Sequence, residues 1–254
     1  MESIDLSILV PAFSAGLLVL GTHIPLGMKV LERGVIFADL AIAQIAGLGV
    51  ILAGLLNVTG QPVLVQLIAA ASALCGAGLL AWIEARLAEV KEACIGLTFV
   101  LAASGGILLM SHDVRAGEHL KDLLVGQILW VSSDQLLATA LMSAVLLLAW
   151  LRLTLGNLGF YLIFALAVTA SVQLVGVYLV FASLIVPALA TWRIVQRRMA
   201  HAFVIGIAGY AIGLLLSAWL DLPSGAAIVW AMTLVGLVHA MLKRPTVKPW
   251  GQSA

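Results

Sequence analysis

The chain has 254 residues, of which 63% are hydrophobic and only 10% charged, with a formal net charge of +1. A soluble domain carries about 25% charged residues, so that class is excluded, and the near-neutral balance gives no footing for a nucleic-acid or acidic partner. Mean hydropathy is +1.16, and apolar runs of about 20 residues recur from end to end, which predicts an all-α, polytopic helical membrane protein. A β-barrel would instead show alternating segments of about ten residues, and none occur.

In chain order, a first helix is predicted over about Leu6–Leu26, ending at Lys29, Glu32 and Arg33. It follows the acidic start Met1-Glu2-Ser3-Ile4-Asp5, which lacks a basic n-region and a small-residue cleavage site, and so reads as a retained span rather than a signal peptide. The second helix, about Val35–Leu56, closes on the uncharged turn Asn57–Pro62. The third, about Val63–Ile83, is rich in Ala, Ser and Gly. Small residues let helices approach closely in lipid, so this helix is expected in the interior. A charged loop, Glu84–Glu92, leads to a fourth helix over about Ala93–Ser111.

The most polar loop, Ser111–Asp122, follows, and Leu123–Trp130 after it reads as amphipathic or partly re-entrant. A fifth helix is predicted over about Asp134–Leu151. From Leu158 to Trp192 the apolar run holds about 35 residues, too many for one crossing and few for two. Pro187 interrupts it, so a full helix to about Val180 and a short helix over Phe181–Ala190 are expected. The basic loop Arg193–Arg198 comes next, then helices over about Ala202–Leu220 and Ala226–Leu242 joined by Asp221–Gly225. The expectation is a single membrane domain over residues 1–254, with eight long transmembrane helices plus one short Pro-containing segment. Cys75 and Cys94 both lie in apolar segments and read as small packing residues.

Cytoplasmic loops of membrane proteins carry an excess of Lys and Arg. With the N-terminus outside, Lys29, Arg33, Arg86, Lys91 and Arg152 fall inside. Counting the short Pro187 segment as a crossing also places Arg193, Arg197, Arg198 and the basic tail inside. Without that crossing the most basic loop would lie outside.

Asp39 is an unpaired carboxylate in the second apolar segment, with the amide Gln44 beyond it. An ionisable group in a transmembrane helix costs about 2.5–3.5 kcal/mol on insertion scales, so such groups mark a polar pathway or a bundle interior. The plainer alternatives are a structural partner for Arg33, or a helix N-terminus near the interface. Gln44 is a weak neutral oxygen donor, or a residue that hydrogen-bonds across the bundle. His112, Asp113, Glu118 and His119, on the expected outer face, have metal-ligand chemistry, although a loop this polar also reads as simply solvated. His201 and His239 stand at helix ends as interfacial residues. No Gly-x-x-x-x-Gly-Lys-Ser/Thr loop and no His-Glu-x-x-His motif occurs, so an ATP-binding motor or a metallohydrolase centre is not written in this chain.

Several stretches together resemble the integral-membrane subunit of ATP-binding-cassette importers for zinc, manganese or iron. Arg33-Gly34-Val35-Ile36-Phe37-Ala38-Asp39-Leu40-Ala41 through Gly47 is similar to the family's stretch after a basic turn. Leu124-Val125-Gly126-Gln127-Ile128-Leu129 is similar to its Leu-Phe-Gly-Asp-Ile-Leu segment. Val175–Val180 leading to Pro187-Ala188, and Leu216-Ser217 through Asp221-Leu222-Pro223-Ser224-Gly225, resemble two further motifs in the same order.

The resemblance implies a homodimeric permease, multi-pass in a bacterial inner (plasma) membrane and without a permanently bound cofactor. Its transported substrate would be a divalent metal ion, with Asp39 and Gln44 on the path. The implied partners are an extracytoplasmic metal-binding protein, met near His112, Asp113, Glu118 and His119, and cytoplasmic subunits that bind ATP. Two departures stand out. The family commonly places a histidine four positions after the acid, on the same helix face, and here that position is Ala43. The segment after the fifth helix is reduced to Arg152–Gly159, so contact with an ATPase would fall on that loop together with Glu84–Glu92 or Arg193–Arg198. A carrier that works without an ATPase, with Asp39 binding protons, is the alternative.

Overall fold

The computed structural model describes residues 6–56, 58, 60–110, 126, 128–152, 156–194 and 196–242. Nine α-helices and no strand occur among them: α1 Leu6–Arg33, α2 Ala38–Leu55, α3 Pro62–Arg86, α4 Lys91–Leu109, α5 Ser133–Arg152, α6 Asn157–Val175, α7 Val177–Ala190, α8 Arg198–Leu220 and α9 Ser224–Leu242. A 3-10 turn, Ile128–Trp130, precedes α5. Eight helices are long and apolar enough to cross a membrane, and α7 is the short one. The chain is therefore a polytopic helical membrane protein with the expected eight long spans and one short Pro-containing segment.

The boundaries moved where charge was read as punctuation. α1 continues through Lys29, Glu32 and Arg33 because those charges find partners beside the helix: Lys29 pairs with Glu32 at 3.2 Å, and Glu32 also meets Arg198 at 3.8 Å. α3 likewise runs to Arg86, so Glu84 and Arg86 belong to its last turn rather than to a loop.

The expected break near Val180 falls instead at Gly176. Its φ of +80° is left-handed territory that glycine alone enters freely. Gly126, at φ +71°, lies directly against it and leaves no room for a Cβ beside the Val175 carbonyl carbon. Pro187 does not end α7 but sits inside it. Thr191 donates to the carbonyls of Pro187 at 2.8 Å and Ala188 at 3.3 Å, satisfying groups that the ending helix leaves free.

α6 is the central helix. Of its most apolar stretch 72% is buried, against 28% for α3 and 11% for α5. The expectation of an interior α3 is thus corrected. Its small residues Ala69, Ala73, Gly76 and Ala77 are buried on one face, with Ile45 of α2 against Gly76, while Leu67, Cys75, Leu79 and Trp82 point outward. α2, α3 and α4 form one flank of the bundle. α8 and α9 form a hairpin on the other, and α1 packs along α7 and α8.

The polar ends collect on one face. Arg33, Glu84, Lys91, Asn157, Arg198 and Glu32 are joined there by hydrogen bonds and ion pairs. Gly126 and the α6–α7 break lie at the opposite end, because α6 starts at Asn157 beside Arg33 on the basic face and runs away from it to Val175, which Gly126 touches. α7 starts beside Gly126 and finishes beside Arg198, whose Nη2 donates to the Ala188 carbonyl at 3.4 Å. The short segment therefore crosses the bundle, and the 193–198 loop shares a face with the other basic ends.

Candidate functional site

On the basic face, the turn between α1 and α2 is held from five directions. Arg33 donates through Nη1 to Glu84 Oε2 of α3 at 3.0 Å and to Asn157 Oδ1 at the start of α6. Its guanidinium also lies 4.2 Å above the centre of the Phe160 ring, a cation–π contact strengthened by partial desolvation. Phe160 in turn stacks on Phe164 at 5.5 Å and tilts against Trp150 of α5 at 6.0 Å. Lys91 Nζ donates to the Arg33 carbonyl, and the Phe37 amide donates to Glu92 Oε1 at 3.1 Å. Gly34, at φ +64°, lets the chain reverse inside this frame.

The frame fixes the entry of α2, and Asp39 is in that helix's first turn. It therefore stands near the basic end of the span rather than at mid-depth, where the positive end of the helix dipole favours a carboxylate. Its side chain is 0% exposed, and neither carboxyl oxygen has a hydrogen-bond partner among the described residues. Arg33, the nearest cation in sequence, is occupied by Glu84 and Asn157. Asp39 is thus neither turned toward lipid nor locked to a basic side chain. Ala43, one turn on, is buried, while Gln44 is half-buried on a neighbouring face.

His112, Asp113, Glu118 and His119 lie outside the described residues. His201, near the start of α8, and His239, near the end of α9, bring their rings to 5.1 Å at the basic face. Among the described residues no three His, Cys, Asp or Glu side chains gather as a metal cluster. Ser183 of α7 is fully buried and shares a 3.0 Å hydrogen bond with the Tyr210 hydroxyl of α8.

One polar residue escaped the sequence reading. His23 in α1 is 0% exposed, with Nδ1 3.1 Å from the Val19 carbonyl and 3.0 Å from the Thr22 hydroxyl. Its Nε2 has no partner among the described residues. The available signal was a lone imidazole inside an apolar span, the same argument that singled out Asp39.

The ABC 3 transport family matches this chain over residues 5–156 and 149–243. The chain belongs to that family. A probable iron transport system membrane protein of Haemophilus influenzae is 28% identical to this ABC 3 chain over 163 residues, covering 55% of this chain and 60% of that protein. An uncharacterized membrane protein of Cyanophora paradoxa is 26% identical over 180 residues, covering 61% of this chain and 60% of that protein. The chain thus spans 60% of the length of each of these curated relatives. Among solved structures, PsaBC from Streptococcus pneumoniae in complex with Fab superposes with a TM-score of 0.69 at 22% identity, over 91% of this chain and 89% of that one. That likeness is one of fold.

Proposed function

We propose that this ABC 3 chain is the permease subunit of an ATP-driven importer for a divalent metal ion (zinc, manganese or iron) in a bacterial inner membrane. It works as a homodimer. Two separate ATP-binding subunits dock on the basic face, and a metal-binding protein delivers the ion to the opposite face, where the loop carrying His112, Asp113, Glu118 and His119 meets it. ATP hydrolysis resides in those separate subunits.

The observation that carries this reading is Asp39, a carboxylate with no exposure and no partner for either oxygen among the described residues. An ion passing beside it supplies the missing partner, with Gln44 as a further oxygen donor. These oxygen donors suit manganese and other hard divalent ions, and imidazole elsewhere on the path would extend the range to zinc or iron. The Haemophilus relative's name supports a metal cargo.

Metal uptake by cells expressing the permease with its ATPase, measured for wild type and Asp39→Ala at equal membrane levels, tests the proposal. The variant is expected to lose uptake, and undiminished uptake would remove Asp39 from the path. Uptake that persists when the ATPase is withheld or inactivated would favour the carrier that needs no ATP.

A further inference from the structure

At mid-depth in α1, four positions share one stripe. Gly16, Leu20, His23 and Gly27 fall within an arc of about 60° at 100° per residue. Three of the four have defined neighbours. Gly16 lies on the Tyr210 ring, Leu20 covers Gly206, and Gly27 abuts the Leu184 carbonyl oxygen, each too close for an added Cβ. The stripe therefore faces α7 and α8. His23 shares that stripe between the levels of Leu20 and Gly27, so it stands on the face of α1 turned to the two helices that carry the Ser183–Tyr210 pair. Arg33 is ten residues further on, which sets His23 about 15 Å deeper at 1.5 Å per residue. That is halfway through a hydrocarbon core of about 30 Å.

The ring is preset as a ligand. A carbonyl oxygen only accepts, so the 3.1 Å contact of Nδ1 with Val19 favours the tautomer that carries the ring proton on Nδ1. In the neutral ring the Nε2 lone pair is then free, and it is buried with no partner among the described residues. A backbone carbonyl holding the far nitrogen is the usual outer support of a metal-binding histidine.

Oxygen donors lie on the same levels. Pro187 has no N–H to offer the Ser183 carbonyl. Helices interrupted in this way present carbonyl oxygens to ions in transport proteins. With the Ser183 and Tyr210 hydroxyls, the surroundings supply one nitrogen and several neutral oxygens. Such a set suits a borderline divalent cation and holds it weakly enough to let it leave.

We infer that His23, with Ser183 and Tyr210, forms a mid-membrane station for the divalent cation, separate from Asp39 and one step further from the basic face. This rests on the proposed role as a metal permease.

The experiment has two arms. In a Cys75→Ala/Cys94→Ala background, His23→Cys and the control Leu20→Cys are exposed in membranes to a small cationic thiol reagent, with and without Mn2+ or Zn2+. His23→Cys is expected to react and to be slowed at least about threefold by the metal, while Leu20→Cys, filled in over Gly206, stays unreactive. In proteoliposomes with the ATPase, His23→Ala and Ser183→Ala/Tyr210→Phe are expected to lower Mn2+ or Zn2+ uptake at least tenfold. The station is overturned if His23→Cys is unreactive with the ATPase both nucleotide-free and ATP-bound, or if folded His23→Ala transports at the wild-type rate. Should the alanine variant not fold, labelling and the Ser183/Tyr210 variant decide. Should wild type move neither metal, the metal-permease reading fails. Labelling of His23→Cys then still decides whether a polar route reaches that depth.

Discussion

Replacing Asp39 should stabilise the protein while silencing it. The carboxyl group is 0% exposed and makes no hydrogen bond among the described residues. A buried polar group left unpaired costs about 1–3 kcal/mol, and Asp39→Leu removes that cost, less what its bulkier side chain loses to overpacking. For a chain of this size each kcal/mol moves the melting temperature by about 2–4 °C, so Asp39→Leu should melt about 2–12 °C higher than wild type. Asp39→Ala should gain less, because the space it vacates carries its own penalty. The assay is thermal unfolding of the purified protein in detergent, followed by tryptophan fluorescence, beside metal uptake in proteoliposomes. A gain in stability with loss of uptake is the pattern of a functional group kept at a structural cost. If Asp39→Leu melts at or below wild type, the carboxylate has a stabilising partner in the assembled protein. The pathway assignment then fails.

Glu84→Ala should destabilise strongly. It strips the ion-pair partner from Arg33 in a pair whose side chains are only 18% and 14% exposed, a loss of about 3–5 kcal/mol. The double variant Arg33→Met/Glu84→Leu should recover most of it, which a double-mutant cycle on melting curves would measure. Two glycines with positive φ should part company when changed to alanine. Gly34, at +64°, has open space around its missing Cβ, so Gly34→Ala should cost about 1–2 kcal/mol from backbone conformation alone. Gly126 at +71° abuts Val175 and Gly176, so Gly126→Ala should add a steric clash and sharply reduce the folded yield on size-exclusion chromatography.

Hydropathy and charge made the architecture legible. A crossing at the Pro187 segment keeps the basic 193–198 loop on the side of the other basic ends, and the Arg198–Glu32 contact at 3.8 Å puts that loop beside them. Local detail was less visible, for physical reasons. Gly176 sits in an unbroken apolar run where periodicity changes on neither side, so only its φ of +80° reveals the break. The small residues of α3 promised close packing, which they make with one face of α2. Small residues on one face do not place the other face, and Leu67, Leu79 and Trp82 leave it pointing outward.

The polar groups divide along the same line. Asp39 was legible because a carboxylate stands out in an apolar run. The depth of Asp39 was not, since the start of α2 at Ala38 is set by the frame of Arg33 with Glu84, Lys91 and Glu92, the last three about 50 residues further along the chain. His23 is less visible in the sequence because a neutral imidazole adds nothing to a charge count, and its meaning arises only from what faces it. Sequence spacing alone would look for a second donor at Ala43, on the same helix as Asp39. The fold instead offers an imidazole from α1 and hydroxyls from α7 and α8, donors scattered over 187 positions of chain from His23 to Tyr210. If both buried groups serve one cation in turn, losing either should stop transport. Losing Asp39 should leave the labelling of His23→Cys from the outer side intact, and that order of dependence separates two stations in series from one shared site.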